Sequence, residues 1–290
     1  MLYSRFRMIK ANNFLVGKGG RTAMLGKEIQ LKLDGVMLKG WLYEAPEKVS
    51  SSVELKKPML ILCHGIPRGE TSPEEEARRE EDEGYPGLAR RCAEEGFTTF
   101  HFNFRGTGAS QGNFDLKGWV RDLAAFLDYW KSVDGKAQDG FYLWGFSAGA
   151  AVVSCVAEEE EMVKGVALAA CPAEFHSLFP REELPQIIDR FRNVGLFRDP
   201  NFPPLPEKWL ENLLSVNPLQ KVDRIAPRPL LIVHGTEDEL IPTYHANRLY
   251  EEAGHPKTLQ MMAGAGHQLR KHVETVDFCL EWFKNLRGAR

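Results

Sequence analysis

Two serines in the chain occupy Gly-x-Ser-x-Gly segments, and each is a potential nucleophile. The segments are 145–149, centred on Ser147, and 108–112, centred on Ser110. A serine in this pattern can attack a carbonyl carbon when it lies on a tight turn between a strand and a helix. Only the segment around Ser147 directly follows an apolar strand pattern and opens a helix pattern. We therefore predict Ser147 as the nucleophile and assign Ser110 to a loop.

A serine hydroxyl needs a neighbouring base, and one of the eight histidines is best placed to supply it. His267 follows the last predicted strand and precedes the last predicted helix. That position places it at the carboxyl edge of the sheet, where Ser147 is also expected. His272 is the fallback base, although it falls within the last helix pattern.

An imidazole base in turn needs a carboxylate that fixes its tautomer and stabilises the imidazolium. Asp238 is the best candidate, because it comes soon after Gly235 at the end of another predicted strand. Glu237 and Glu239 flank it and are weaker candidates. The chain order of nucleophile, acid and base differs from the orders found in the trypsin and subtilisin folds.

The negative charge that develops on a substrate oxygen needs two N–H donors. Ala148 supplies one, because it opens the helix after Ser147 at the positive end of the helix dipole. Gly65 permits a sharp turn after a predicted strand, and this turn would aim the N–H of Ile66 at the same oxygen. His64 is interpreted as a structural turn residue. This set of groups requires no cofactor and no metal.

These side chains can meet only if the chain folds into a sheet whose strand ends share one edge. An antiparallel pair at 28–33 and 36–43, joined by Asp34-Gly35, comes first. Apolar strands and amphipathic helices then alternate, which predicts an α/β fold with a mostly parallel sheet and helices on both faces. The predicted strands are 59–63, 98–104, 141–144, 165–170, 230–233 and 259–262, and the predicted helices are 85–95, 116–130, 148–158, 244–253 and 268–286.

One connection is too long for this alternation. Residues 173–224 are rich in aromatic side chains and separate two consecutive predicted strands. We expect a small helical cap there, inserted after the sixth strand between the core segments 28–172 and 225–290. The predicted substrate-binding residues are aromatic side chains of this segment and the neighbour of the nucleophile, namely Phe146, Phe175, Phe179, Phe191, Phe197 and Trp209.

Composition and charge exclude several classes of function. The net charge of −3 provides no general positive field for nucleic acid, and no apolar run is long enough to span a membrane. Five cysteines without a Cys-x-x-Cys pair fit reduced thiols in a cytoplasmic protein better than disulfides or a zinc site. Residues 1–27 are basic and predict an N-terminal arm rather than a targeting segment, and the acidic run 69–83 predicts a solvated loop.

With these motifs in place, the chain resembles the α/β-hydrolase superfamily over roughly residues 28–286. Segment 103–110, Asn-Phe-Arg-Gly-Thr-Gly-Ala-Ser, is similar to a structural loop of its monoacylglycerol lipase-like, serine aminopeptidase-like and small esterase branches. Asn103 stands where those branches usually have Asp. The resemblance implies that an insertion after the sixth strand forms the pocket for the acyl or leaving group.

The sequence thus predicts a serine esterase that forms an acyl-enzyme with a small apolar or aromatic ester. A serine peptidase acting on short peptides is the nearest alternative, and it would need an acidic cap residue such as Glu174, Glu182 or Glu183 for the substrate ammonium. A ligand-binding protein on the same scaffold is a third. Thioesters, lactones and a homodimeric state also stay open at this point.

Overall fold

The computed structural model describes residues 26–46, 58–67 and 84–288. The acidic run 69–83 lies outside the described residues, and so do residues 1–25 of the N-terminal arm. The strands are β1 (Lys27–Leu33), β2 (Val36–Tyr43), β3 (Met59–Cys63), β4 (Thr99–Asn103), β5 (Phe141–Phe146), β6 (Val163–Ala169), β7 (Leu230–Gly235) and β8 (Lys257–Met262). The helices are α1 (Gly84–Glu94), α2 (Leu116–Ser132), α3 (Ala148–Glu159), α4 (Leu184–Asn193), α5 (Pro206–Leu214), α6 (Tyr244–Glu252) and α7 (Val273–Gly288).

These strands form one eight-stranded sheet in the order β1-β2-β4-β3-β5-β6-β7-β8. β2 pairs antiparallel with both β1 and β4, and every other neighbouring pair is parallel. The hairpin between β1 and β2 turns at Asp34 and Gly35, whose φ angles are 51° and 80°. Two successive positive φ angles are what a tight two-residue hairpin requires. The predicted α/β fold is confirmed.

Helices cover the sheet on both faces, which explains why its central strands are apolar without alternation. β3 and β5 are buried along their whole length. On one face, Phe126 of α2 and Val152 of α3 share a core with Ile61. On the other face, Cys92 of α1 and Phe283 of α7 share a second core with the strand residues that point the opposite way.

The last helix begins later than the sequence predicts. A short 3₁₀ turn covers Leu269–Lys271, and α7 starts only at Val273. His272 therefore precedes the helix, and its Nδ1 lies 3.0 Å from the Thr275 hydroxyl. A side chain that bonds locally in this way favours a helix start over a helix interior. The remaining predicted element ends lie within two residues of the observed ones.

The long connection between β6 and β7 contains the two helices α4 and α5 and short 3₁₀ turns. It is joined to the loop after β4 by several hydrogen bonds. The N–H groups of Arg198 and Asp199 both donate to Asn113 Oδ1, at 2.7 Å and 2.9 Å. The Phe114 N–H donates to the Leu196 carbonyl at 2.9 Å. Within the described ranges, no helix is both long and apolar enough to cross a membrane.

Candidate active site

Ser147 lies on the sharp turn between β5 and α3, and its backbone is strained. Its φ and ψ are 53° and −126°, a left-handed value that a residue with a Cβ rarely adopts. The flanking glycines make the turn sterically possible. A Cβ on Gly145 would collide with Ala150, and one on Gly149 would collide with the carbonyl oxygen of His64. The strand therefore passes into the helix within a single residue, and Ser147 stands at the carboxyl edge of the sheet.

The structure brings the three residues predicted as a catalytic set into contact. His267 Nε2 lies 3.0 Å from Ser147 Oγ. On the other side of the ring, His267 Nδ1 lies 2.8 Å from Asp238 Oδ2 and 3.1 Å from Oδ1. Ser147 follows β5, Asp238 follows β7 and His267 follows β8, so all three come from the same edge of the sheet. Of the two histidines that the sequence offers as a base, His267 is the one placed against Ser147.

The Asp238 carboxylate is held by backbone donors as well as by the imidazole. Its Oδ1 accepts hydrogen bonds from the N–H groups of Leu240 and Ile241, at 3.0 Å and 2.9 Å. Burial alone would raise the pKa of Asp238, but the hydrogen bonds from His267 and Ile241 outweigh it and hold the pKa below its ordinary value. An ionised carboxylate only accepts hydrogen bonds. His267 therefore donates Nδ1–H to Asp238, and its Nε2 faces the serine hydroxyl.

The turn after β3 lies directly against Ser147, as the oxyanion prediction requires. A Cβ on Gly65 would lie 2.8 Å from Ser147 Cβ and 3.4 Å from Ser147 Oγ. No larger residue fits there without displacing the serine. Ile66 continues this turn and Ala148 begins α3, so the two residues flank the serine. Their role as oxyanion donors stays a prediction.

His64 is part of the framework behind this turn. Its Nδ1 lies 2.7 Å from the Gly65 carbonyl oxygen, and its Nε2 accepts the Phe104 N–H at 3.2 Å. The Thr107 hydroxyl lies 3.1 Å from the same Nε2. Burial lowers the pKa of His64 to about 4, so the ring is neutral at pH 7. These contacts agree with a structural role for His64.

The aromatic side chains predicted to bind substrate are buried. Phe191, Phe197 and Trp209 pack edge-to-face on one another, with ring centroids 5.2 to 5.7 Å apart. Phe191 also packs against Phe114 at 5.1 Å. This cluster is the core that fastens the inserted segment to the loop after β4. The packing alone accounts for the burial of these residues, and their contact with substrate stays a prediction.

The other predicted substrate contacts lie in different places. Phe175 and Phe179 pack on each other with centroids 6.1 Å apart, at the beginning of the insertion. Phe146 precedes Ser147 and packs edge-to-face on Tyr85 of α1 at 5.7 Å. The Tyr85 ring also lies 5.9 Å from the His64 ring, so it packs between the turn after β3 and the turn at Ser147. Nothing in the sequence around Tyr85 marks it for this position.

A hollow of about 350 Å³ adjoins His267, and nothing in the sequence predicts it. It is lined by residues 264–268 together with Lys271 and His272. Because α7 starts late, the residues after His267 form an open wall there instead of a helical turn. Among the described residues, no group of three or more potential ligands could hold a metal ion.

A serine, an imidazole and a carboxylate in hydrogen-bonded sequence at the edge of an eight-stranded sheet are the arrangement typical of α/β-type hydrolases. The alpha/beta hydrolase family model matches residues 60–277. The chain therefore belongs to the alpha/beta hydrolase family.

Individual relatives are distant. The polyketide transferase grgF of Penicillium sp is 24% identical over 274 residues, covering 81% of this chain and 86% of the relative. The uncharacterized protein YfhR of Escherichia coli K12 is 24% identical over 176 residues, and the match spans 60% of this chain but only 54% of YfhR.

A solved structure of Est1E from Butyrivibrio proteoclasticus is 20% identical with a TM-score of 0.61, covering 91% of this chain and 99% of that one. At this identity the likeness shows the fold alone.

Proposed function

We propose that the protein is a serine hydrolase that cleaves carboxylic esters through an acyl-enzyme. The observation that carries the proposal is the unbroken contact from Asp238 through His267 to Ser147, at 2.8 Å and 3.0 Å. The 3.0 Å distance is within the range in which a proton can pass from the Ser147 hydroxyl to the imidazole, and the 2.8 Å contact with Asp238 orients the ring. No cofactor takes part in this chemistry.

In the proposed mechanism, Ser147 Oγ attacks the ester carbonyl while His267 Nε2 takes its proton. The imidazolium that forms is stabilised by the Asp238 carboxylate, which stays ionised. The N–H groups of Ile66 and Ala148 hold the oxyanion, and each such donor contributes about 2.7–4 kcal/mol to transition-state stabilisation. His267 then protonates the leaving alcohol. A water molecule activated by the same ring releases the acid and restores Ser147.

The segment 173–224 is proposed to act as the cap over this site. It begins after β6, whose neighbour β5 ends at the nucleophile, and it carries α4 and α5. An apolar acyl chain or aromatic group of modest size is the proposed substrate, because the segment is built around aromatic side chains.

The peptidase alternative is weakened by the position of Glu174. Its carboxylate accepts hydrogen bonds from the Ser177 hydroxyl at 2.9 Å and from the His176 N–H at 2.5 Å. Burial opposes ionisation, but these hydrogen bonds lower the pKa of Glu174. The carboxylate is thus engaged in a local turn rather than reserved for a substrate ammonium. Glu182 and Glu183 are exposed in a short 3₁₀ turn.

Labelling with a fluorophosphonate probe tests the proposal directly, because the probe reacts only with an activated serine. We expect one adduct, mapped by mass spectrometry to the peptide that contains Ser147. The same protein should hydrolyse a short p-nitrophenyl ester faster than an aminoacyl p-nitroanilide. Absence of labelling would favour a ligand-binding protein on this scaffold, and faster anilide cleavage would favour the peptidase.

The name of one relative adds a second arm to this experiment. Because grgF is called a polyketide transferase, the acyl-enzyme should also be offered an alcohol or amine in place of water. Product that retains the acyl group on the added acceptor would redirect the proposal from hydrolysis to acyl transfer. Release of free acid alone would support the hydrolase.

We also propose a cytoplasmic location, on the chemistry of the thiols. Cys63, Cys92, Cys171 and Cys279 are buried and free, and burial raises the pKa of each. Cys155 is partly buried and also free. Reduced cysteines of this kind are typical of cytosolic proteins. Whether the protein forms a homodimer is a question for its mass in solution.

A further inference from the structure

A second histidine lies beside the carboxylate of the proposed catalytic set. His234 belongs to β7, and its side chain has no exposed surface. Its Nε2 lies 2.7 Å from the Ile241 carbonyl oxygen and 3.4 Å from Asp238 Oδ2. A carbonyl and a carboxylate can only accept hydrogen bonds. Nε2 of His234 therefore carries the proton and faces both oxygens.

This contact closes the loop that carries Asp238. Ile241 is held from two sides, because its N–H donates to Asp238 Oδ1 at 2.9 Å and its carbonyl accepts from His234. The loop leaves β7 at Gly235 and returns to the same strand through His234. Removing the donor would free the Ile241 carbonyl and, with it, the N–H that holds the carboxylate.

We propose that His234 is a positioning residue for the reaction, because its Nε2–H ties Asp238 and Ile241 to β7 and so holds the carboxylate against Nδ1 of His267. The inference rests on the proposed function. His234 touches neither Ser147 nor the reacting atoms, and it acts through Asp238. The sequence shows only a histidine near the end of a strand, four residues before Asp238.

The Nε2–H donor of His234 is suited to a position beside Asp238 because the ring is neutral. Burial lowers the pKa of His234, although the Ile241 carbonyl and Asp238 favour the charged form. A neutral N–H orients the carboxylate without adding a positive charge that would compete with the imidazolium of His267. Its Nδ1 is buried and has no hydrogen-bond partner in the described part of the chain, so Nε2 alone makes its polar contacts.

The test compares two substitutions that differ in one hydrogen-bond donor. His234→Leu keeps a similar volume but has no donor, whereas the amide of His234→Gln can reach both oxygens. His101→Leu is the matched control, since His101 is also a buried strand histidine, packs between Trp41 and Tyr43, and lies on β4 away from the site. Each variant is examined for the low-field proton resonance of His267 Nδ1–H and for kcat and KM on a p-nitrophenyl ester.

We expect His234→Leu to lose or strongly shift the low-field resonance and to lower kcat by about 100-fold, the cost of displacing a catalytic group by about 1 Å. KM should change little, because substrate binding is not touched. His234→Gln should recover most of kcat and the resonance. His101→Leu should keep both, whatever its stability. If His234→Leu does not fold, His234→Asn replaces it, because that amide is too short to reach the Ile241 carbonyl.

An unchanged resonance and kcat in His234→Leu would overturn the inference, and so would an equal loss in His101→Leu. Failure of the proposed function is distinguishable from either result. If the wild-type protein turned over no ester while its resonance responded to His234→Leu but not to His101→Leu, positioning of Asp238 would stand and esterase activity would fall.

Discussion

The two Gly-x-Ser-x-Gly segments of this chain have the same pattern and opposite environments. Ser147 stands on a strained turn with its hydroxyl 3.0 Å from an imidazole. Ser110 is fully buried, and its hydroxyl donates to the Asn103 carbonyl at 2.5 Å while accepting the Lys39 N–H at 2.9 Å. One hydroxyl faces a base, and the other holds β2 to the loop after β4. The pattern of glycines therefore indicates a tight turn, and only its place between strand and helix indicates chemistry.

The polar groups around the two serines also differ in how fully they are hydrogen-bonded. Around Ser110 the polar groups are satisfied by one another. The Arg105 guanidinium binds the buried Asp122 carboxylate at 2.6 Å, and Arg198 of the insertion donates to the Gly108 and Ser110 carbonyls. Around Ser147, the hydrogen bonds run from Asp238 through His267 and end at the serine oxygen. A network in which every polar group has a hydrogen-bond partner stabilises a fold, whereas a polar group at the end of a network can still bind a substrate.

The largest expected effect separates the two serines by activity. Ser147→Ala should lower kcat on a short p-nitrophenyl ester on the order of 10⁶-fold, because no other group can form the acyl-enzyme. Circular dichroism should show an unchanged fold. Activity retained within tenfold would contradict the assignment of the nucleophile.

The next effect compares two buried carboxylates. Asp238→Asn should lower kcat on the order of 10⁴-fold, because an amide permits the wrong tautomer of His267. Asp122→Asn should instead weaken the pairing with Arg105 and lower the free energy of unfolding, measured in urea, while the folded enzyme keeps its kcat. Loss of activity in Asp122→Asn at unchanged stability would contradict the different roles given to Asp122 and Asp238.

Ser110→Ala should show its effect in stability. It leaves the partly buried Asn103 carbonyl and Lys39 N–H each without this partner, which costs about 1 kcal/mol. Urea denaturation measures that loss, and kcat should stay within a few-fold of the wild-type value. Complete loss of activity in a folded Ser110→Ala protein would mean that the wrong serine had been identified.

The smallest effect is a dependence of stability on pH through His64, which supports the framework of both segments. Its pKa in the folded chain is about 4, below the ordinary value of 6.5, so the unfolded chain binds the proton first as the pH falls. Stability should therefore decline from about pH 6.5 downwards and level off near pH 4. Between pH 7 and pH 5, the titration of His64 should lower the free energy of unfolding by about 2 kcal/mol.

Urea unfolding of the wild-type protein and of His64→Asn at both pH values measures this loss of free energy. The variant should be less stable at pH 7 but show a smaller difference between the two conditions. His101, whose pKa burial lowers to about 3, contributes a similar dependence that the variant retains. An equal pH dependence in both proteins would show that His64 is not the group that titrates.

The fold, and the meeting of Ser147, Asp238 and His267 at one edge of the sheet, were predictable because their signals are local. Apolar strands, the Gly–Ser–Gly turn and the residues that follow each strand all lie within short stretches, and a parallel sheet brings the strand ends together. The remaining features depend on contacts between distant segments. Arg198 meets Ser110 from 88 residues away, and nothing near either residue indicates it. The same holds for the burial of Trp209 against Phe114.

His272 shows the limit in a local case. The helix pattern of its segment continues through 268–286, yet α7 starts at Val273 because His272 bonds to Thr275 and the preceding residues form a 3₁₀ turn. Apolar periodicity indicates which face of a helix is buried, but it does not fix where the first turn begins.

The left-handed backbone at Ser147 has an evolutionary consequence. Glycine would adopt φ of 53° without penalty, while a residue with a Cβ pays on the order of 1–3 kcal/mol there. A lineage that no longer needed turnover would gain robustness by replacing the nucleophile, and threonine would be barred because its branched Cβ tolerates that angle worst. Serine at this position therefore carries a backbone cost that glycine would avoid, and the proposed nucleophilic role would require that cost.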